Sequence, residues 1–165
     1  MAIVSTDIKY RLSGGSANAN AALSLGGVIS SVDAPVASFD DVSSAEAQAG
    51  AIEYRCIYVR NTHGTLTLVG AKIWINANTT TPSSSVVALG LGTSAVNGTE
   101  QTVANETTAP TGVTFSAAAN EGTGLVIGDL APNATKAFWI RRTVLAGAAA
   151  VAESFTLRVK GDTLP

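Results

Sequence analysis

One stretch in the middle of the chain, residues 53–76, carries the strongest strand pattern in the sequence. Residues 53–60 are nearly all β-branched, aromatic or otherwise strand-favouring, and a second run of this kind covers residues 65–75. The short polar segment between them, residues 61–64 (NTHG), ends in a Gly that can take a positive φ angle. The pattern therefore predicts two antiparallel strands joined as a hairpin.

The second run also predicts which of its side chains face the core. Ile73 and Ile75 belong to an apolar row with a period of two, whereas Lys72 and Trp74 face the opposite way, and Gly70 shifts the phase as a bulge residue does. The first run is apolar on both faces, which is typical of a central strand. Because an isolated hairpin is only marginally stable in water, further strands must pack against it.

Other segments show the same strand signals, and about eight strands are expected in all, at the spacing of a sandwich. They are residues 7–12, 28–32, 86–91, 125–130, 136–144 and 154–160. No strand–helix alternation is present, which excludes a parallel α/β fold. We therefore predict an all-β antiparallel β-sandwich, immunoglobulin-like or jelly-roll, with an extended N-terminal segment. Residues 1–32 are assigned to a strand and a small-residue arm, and residues 33–165 to the sandwich.

Composition narrows the functional classes. The chain has 165 residues, enough for one domain with a core of its own, and its net charge of −2 disfavours binding to nucleic acid or anionic membranes. Neither a secretory signal nor an apolar run of about 20 residues is visible, so we expect a soluble protein made in a cytoplasm. The one cysteine, Cys56, excludes an intrachain disulfide and is expected to be a buried hydrophobe.

Two segments before the central stretch have distinct compositions. Residues 13–27 are almost all small and form either a surface loop or an arm that becomes ordered against a neighbouring molecule; Gly14 and Gly15 are candidate interface residues on the second interpretation. Residues 45–49 suit a short helical turn, with Ser43 or Ser44 as its cap and a Gly at its end.

No set of residues predicts catalysis or a bound cofactor. His63 lies in the expected turn, where packing does not orient it as a base, and zinc needs more His and Cys ligands than one of each. Asp40 and Asp41 are adjacent carboxylates without further spaced ligands, which is weak support for a metal site. The sequence thus predicts no catalytic, cofactor or metal residues, and no enzyme.

Two tryptophans leave three interpretations open. Trp74 and Trp139 belong either to a second layer of the core, to an interface, or to a sugar-binding platform. The interface interpretation includes Arg141 and Arg142, since Trp and Arg are enriched at binding hot spots.

Three segments resemble a group of small virion structural proteins of tailed double-stranded DNA bacteriophages. They are DIKYRLSGG near the start, SFDDVSSAEAQAG running into EYRCIYVRNTHGTLTL, and RRTVLAGAAAVAESFTLRVKGDT at the end. The resemblance covers most of the chain apart from about residues 76–123, and its motifs carry no chemistry.

The resemblance implies a head decoration, or cement, protein on the outer capsid surface of the virion. The expected partners are the major capsid protein and copies of the chain itself, as a homotrimer, without nucleic acid or membrane. Assembly in a reducing bacterial cytoplasm agrees with the lack of cysteine pairs. The alternative is a carbohydrate-binding or adhesion module on the surface of the head or tail.

Overall fold

The computed structural model describes residues 2–35, 38–78, 85–147 and 154–164. Within these residues the chain forms nine strands and one short α-helix, and every strand pairing is antiparallel. Two sheets pack face to face, which confirms the predicted all-β sandwich. No helix in the described part of the chain is long and apolar enough to cross a membrane.

The larger sheet has four strands in the order β1-β3-β8-β5. Their bounds are Ile8–Leu12 for β1, Ala51–Asn61 for β3, Thr135–Val144 for β8 and Ser85–Leu91 for β5. Strand β3 is therefore central, as its two apolar faces predict.

The smaller sheet has three strands in the order β7-β4-β9. Their bounds are Leu125–Leu130 for β7, Thr67–Asn78 for β4 and Phe155–Leu164 for β9. The predicted bulge in β4 is present, because Gly70 has a φ angle of 59° and the pairing with β9 shifts between Val69 and Lys72. A separate two-stranded ribbon pairs β2, Gly26–Gly27, with β6, Glu100–Thr102.

The main core lies between the two sheets. Alternate residues of β3 and β8 face it, including Ile57 and Phe138, which are directly paired in register. The small sheet contributes Ile73 and Leu130 from the opposite side, and both are fully buried. The inner face of the large sheet is thus apolar over its middle part, as the alternation predicts.

The outer face of the large sheet is also covered. Cys56, Tyr58 and Trp139 form a second apolar cluster there, and Val103 and Leu25 from the connecting segments pack on it. The fold therefore has a third layer made of the ribbon and its loops. Cys56 is a free thiol with no exposed surface, which confirms that it is a buried hydrophobe.

The predicted hairpin of residues 53–76 is wrong. Both strands exist, but β3 pairs with β1 and β8 in the large sheet, whereas β4 pairs with β7 and β9 in the small sheet. The connection crosses from one sheet to the other, and the buried Asn61 holds it in place. Asn61 Nδ2 donates to the carbonyl oxygens of Leu66 at 2.8 Å and Leu130 at 2.9 Å.

The short helix α1, Ser44–Ala49, begins and ends as its sequence predicts. Ser43 is its N-cap, and a reciprocal pair of hydrogen bonds joins Ser43 to Glu46. Gly50 ends the helix with a φ angle of 81°, a value that other residues rarely adopt.

The N-terminal part of the chain is joined to the sheets. Residues 2–32 include β1 of the large sheet and β2 of the ribbon, and Leu12 is fully buried in the main core. Residues 13–27 fold back onto the large sheet and do not extend from the domain. The segments before and after residue 32 therefore share one hydrophobic core.

Candidate interaction site

Arg141 and Arg142 are adjacent in β8, so their side chains lie on opposite faces of the large sheet. Arg142 faces inward, where its Nε donates to Glu53 Oε2 at 2.6 Å and its NH1 donates to the carbonyl oxygen of Asp40 at 2.7 Å. Arg141 faces outward, and its guanidinium lies 5.2 Å from the centre of the Phe115 ring. The two candidate interface residues therefore have different environments.

Arg142 belongs to an ion cluster at one end of the inner face. Asp40 Oδ1 lies 3.6 Å from NH2 of both Arg55 and Arg142, and Glu106 forms an ion pair with Arg55. Phe39 also belongs to this cluster through cation–π contacts. The guanidinium of Arg55 lies 5.2 Å, and that of Arg142 4.7 Å, from the centre of its ring. The cluster fastens the segment before α1 to β3 and β8.

Glu53 is the most deeply buried carboxylate of this cluster, with 1% of its surface exposed. Burial raises the pKa of Glu53, and the nearby Arg142 only partly offsets this effect. One carboxylate oxygen, Oε1, has no hydrogen-bond partner within the described residues. Glu53 therefore becomes protonated at a higher pH than an exposed glutamate does.

Three carboxylates of the cluster come close enough to suggest a cation site. One oxygen each from Asp40, Glu53 and Glu106 lies within 4.8 Å of the other two. However, Arg55 and Arg142 already neutralise these oxygens, and an added metal ion would meet two fixed positive charges. The geometry suits an ion-pair network more than a metal site, and it does not include Asp41.

Trp139 is fully buried on the outer face of the large sheet. Its Nε1 lies 3.5 Å from Oε1 of the buried Glu100, which also accepts hydrogen bonds from the backbone and hydroxyl groups of Thr93 and Ser94. Burial alone raises the pKa of Glu100, but the hydrogen bonds from Ser94 and Thr93 outweigh it and lower the pKa to about 2. Trp139 thus packs beside a hydrogen-bonded carboxylate, and because it is buried it cannot contact a partner protein.

Trp74 is also buried and joins the main core. The structure therefore places both tryptophans in the core, which is one of the interpretations that the sequence left open. The described residues include every aromatic side chain of the sequence: two tryptophans, three tyrosines and four phenylalanines. None of them is in an exposed position. An exposed aromatic platform for sugars is absent from these residues.

Gly14 and Gly15 lie in the folded loop of residues 13–27, where both have positive φ angles. A Cβ atom on Gly14 would lie 2.2 Å from the carbonyl oxygen of Leu23, so only glycine fits there. The backbone NH of Gly15 donates to the carbonyl of Val28 at 3.1 Å. These glycines therefore shape the loop through the backbone of Leu23 and Val28, whose own side chains are exposed.

Two serines tie this loop to β3. Ser13 Oγ donates to the carbonyl oxygen of Cys56 at 2.8 Å and accepts from the NH of Gly26 at 3.1 Å. The NH of Cys56 donates to the carbonyl of Ser24 at 2.7 Å. Because β1 pairs only with residues 57–61 of β3, these bonds satisfy part of the β3 edge that β1 leaves uncovered.

His63 has a local structural role. Its Nδ1 accepts hydrogen bonds from the NH groups of Thr65, at 3.2 Å, and Leu66, at 3.0 Å. These bonds shape the connection between β3 and β4, and within the described residues no hydrogen bond joins His63 to a buried carboxylate.

Two features escaped the sequence analysis. The sequence does indicate the ion cluster, because Glu53 and Arg55 are charged residues on one face of an otherwise apolar strand. Charged side chains that become buried need partners of opposite charge. The second feature is an uncovered row at one end of the outer face, in which the exposed Ile52 and Val86 flank the half-buried Thr143. Sequence alternation places Ile52 in phase with buried residues, but it cannot show where the covering layer stops.

No protein-family model, curated protein or solved structure matches this chain.

Proposed function

We propose that this chain is a virion structural protein of a tailed double-stranded DNA bacteriophage, a decoration or cement protein that binds and stabilises the outer lattice of the head. The observation that carries the proposal is that the segments resembling such proteins contribute the residues of the ion cluster. SFDDV contributes Phe39 and Asp40, EYR contributes Glu53 and Arg55, and RRTV contributes Arg142. The first two segments are neighbours in the chain, whereas Arg142 lies 89 positions after Glu53, and all three meet in the ion cluster.

The physical character of the domain supports this proposal. A protein that reinforces a shell needs a rigid body, and here the large sheet has packed apolar layers on both faces and a buried ion network at one end. Its proposed partners are the major capsid protein and further copies of the chain, as a trimer, on the outer capsid surface. The net charge of −2 suits contact with protein better than contact with nucleic acid.

The alternative, a carbohydrate-binding or adhesion module, receives less support. Sugar-binding surfaces of this kind use exposed aromatic rings, and every Trp, Tyr and Phe of the chain is buried or partly buried. We therefore favour the decoration protein.

The test uses particles of the encoding phage that are assembled without this protein. Purified protein is added, unbound protein is removed, and bound copies are counted and located by cryo-electron microscopy. We expect density at symmetry-related positions on the outer head surface, together with a higher temperature of shell disruption. Density confined to the tail, or no bound protein, would overturn the proposal.

A further inference from the structure

At one end of the large sheet, a row on the outer face has two exposed apolar side chains with a half-buried threonine between them. Ile52 pairs with Thr143 across β3 and β8, and Thr143 pairs with Val86 across β8 and β5, so the three side chains lie side by side. Ile52 is 46% exposed and Val86 is 50% exposed. Leu145, directly after β8, is exposed as well.

The neighbouring row on the same face is covered. It consists of Tyr54, Arg141 and Ala88, which are also paired in register, and the Phe115 ring lies over Tyr54 and Arg141. The covering layer therefore stops one row before the end of the sheet. Because three adjacent strands hold the uncovered row, it is a preformed and rigid surface.

Arg141 supplies a positive charge at the border of this surface. Within the described residues it makes no hydrogen bond or ion pair, its Nε is buried without a partner, and its contact is with the face of Phe115. This differs from Arg142, whose charge is balanced by Glu53 and Asp40. We call the set Ile52, Val86, Thr143, Leu145 and Arg141 the outer patch.

We propose that the outer patch is a docking surface for another protein that presents a carboxylate beside aliphatic side chains. The carboxylate would pair with Arg141, and the aliphatic groups would cover Ile52 and Val86. This inference rests on the proposed function, under which the partner surface belongs to the capsid shell.

Charge complementarity argues for a different protein and against a twofold contact between two copies of the chain. In a twofold contact the same patch lies on both sides of the interface. The outer patch contains one cation and no anion, so its self-association would bring two Arg141 guanidiniums together without compensation. A partner with an acidic group removes this cost.

Matched variants test the docking surface on particles assembled without the protein. Ile52→Thr combined with Val86→Thr removes apolar area and keeps β-branched residues, whereas Val126→Thr alters a valine on β7 that is 60% exposed and lies outside the patch. Arg141→Gln removes the charge, and Arg141→Lys keeps it. Thermal unfolding of each free variant checks that the fold is intact, and the dissociation constant on particles is measured at low and high salt.

We expect the double variant to raise the dissociation constant by about tenfold or more and Val126→Thr to leave it unchanged. Arg141→Gln should weaken binding and flatten its salt dependence, and Arg141→Lys should retain that dependence. If wild-type protein does not bind particles, the proposed function fails and this inference fails with it. If wild type and double variant bind equally, only the docking surface is wrong.

Two other outcomes would also overturn the docking surface. Loss of a wild-type oligomer in the double variant, with unchanged retention on particles, would show that a second copy covers the patch. A lowered unfolding temperature of the free double variant, with unchanged retention, would show that the patch is covered by the chain's own residues.

Discussion

Arg142 lies directly opposite Glu53 across β3 and β8, and its Nε donates a 2.6 Å hydrogen bond to Glu53 Oε2. Both residues are largely buried, so each relies on the other for charge compensation. The neighbouring Arg141 has no such partner among the described residues. Replacing Arg142 should therefore reduce the free energy of unfolding much more than replacing Arg141, although the two residues are adjacent in one strand.

We expect Arg142→Ala to lower the free energy of unfolding by about 3 kcal/mol at pH 7, because it leaves Glu53 buried without its counter-ion. Arg141→Ala is the matched control and should cost about 1 kcal/mol, the value of a partly exposed cation–π contact such as the one with Phe115. Denaturant unfolding of both variants measures the difference. Equal losses would mean that the ion cluster contributes nothing specific to stability.

Glu100 predicts a pH dependence of stability. Its pKa is lowered from 4.5 to about 2 in the folded state, so the unfolded state binds more protons when the pH falls below about 4.5. The contribution of Glu100, about 3 kcal/mol, is therefore complete above that pH and is lost as the pH falls toward 2.

Glu100→Gln should thus be less stable than wild type at pH 7, and the difference should shrink as the pH approaches 2. Glu121→Gln is the control, because Glu121 is exposed and pairs with the exposed Lys160. The measurement is denaturant unfolding at several pH values. A difference that stays constant over this range would contradict the lowered pKa.

Cys56 should be inert in the folded protein. Burial raises the pKa of its thiol, which disfavours the reactive thiolate, and no part of the residue is exposed. We expect a thiol reagent at pH 8 to label Cys56 only after denaturant is added. Rapid labelling of the native protein would show that the layer over the outer face opens readily.

The sequence predicts individual strands of this fold better than their partners. Alternation with a period of two correctly places Cys56 on a buried face and identifies Gly70 as a bulge, because both depend on local backbone geometry. The hairpin prediction failed because alternation says nothing about which strand pairs with which. The crossing between sheets depends on Asn61, whose contact with Leu130 spans 69 positions.

The ion cluster shows the same limit. The charges of Glu53 and Arg55 within an apolar strand are visible in the sequence, but the partner Arg142 lies 89 positions from Glu53. Likewise, the alternation of β8 separates Arg141 from Arg142, yet only the tertiary structure shows which of them is neutralised. Local pattern therefore predicts strands and faces, whereas the candidate surface depends on long-range pairing.

Gly14 and Gly15 offer a test of loop geometry. An Ala at either position meets the strain of a positive φ angle, which costs about 1 kcal/mol. Only at position 14 does the new Cβ collide with a backbone atom, the carbonyl oxygen of Leu23. Gly14→Ala should therefore reduce the free energy of unfolding by at least about 2 kcal/mol more than Gly15→Ala. Similar losses for the two would indicate that the loop shifts to admit the side chain.

Ser13 tests whether residues 13–27 are an integral layer or a loosely attached arm. Ser13→Ala removes the donor to the Cys56 carbonyl and the acceptor for the Gly26 NH, and both contacts are buried. Leaving buried backbone groups unsatisfied should cost about 2 kcal/mol or more. Ser16→Ala in the same loop is the control, since Ser16 is exposed and its hydroxyl makes no hydrogen bond within the described residues.

Hydrogen exchange gives a second measurement for the same variant. If the loop is an integral layer, the amides of Gly26 and Cys56 are protected in wild type, and Ser13→Ala accelerates their exchange while Ser16→Ala does not. An arm that becomes ordered only on a neighbouring molecule predicts the reverse pattern: fast exchange at Gly26 in free wild-type protein and equal stability for both variants. That result would favour residues 13–27, and not the outer patch, as the part of the chain that contacts a neighbouring molecule.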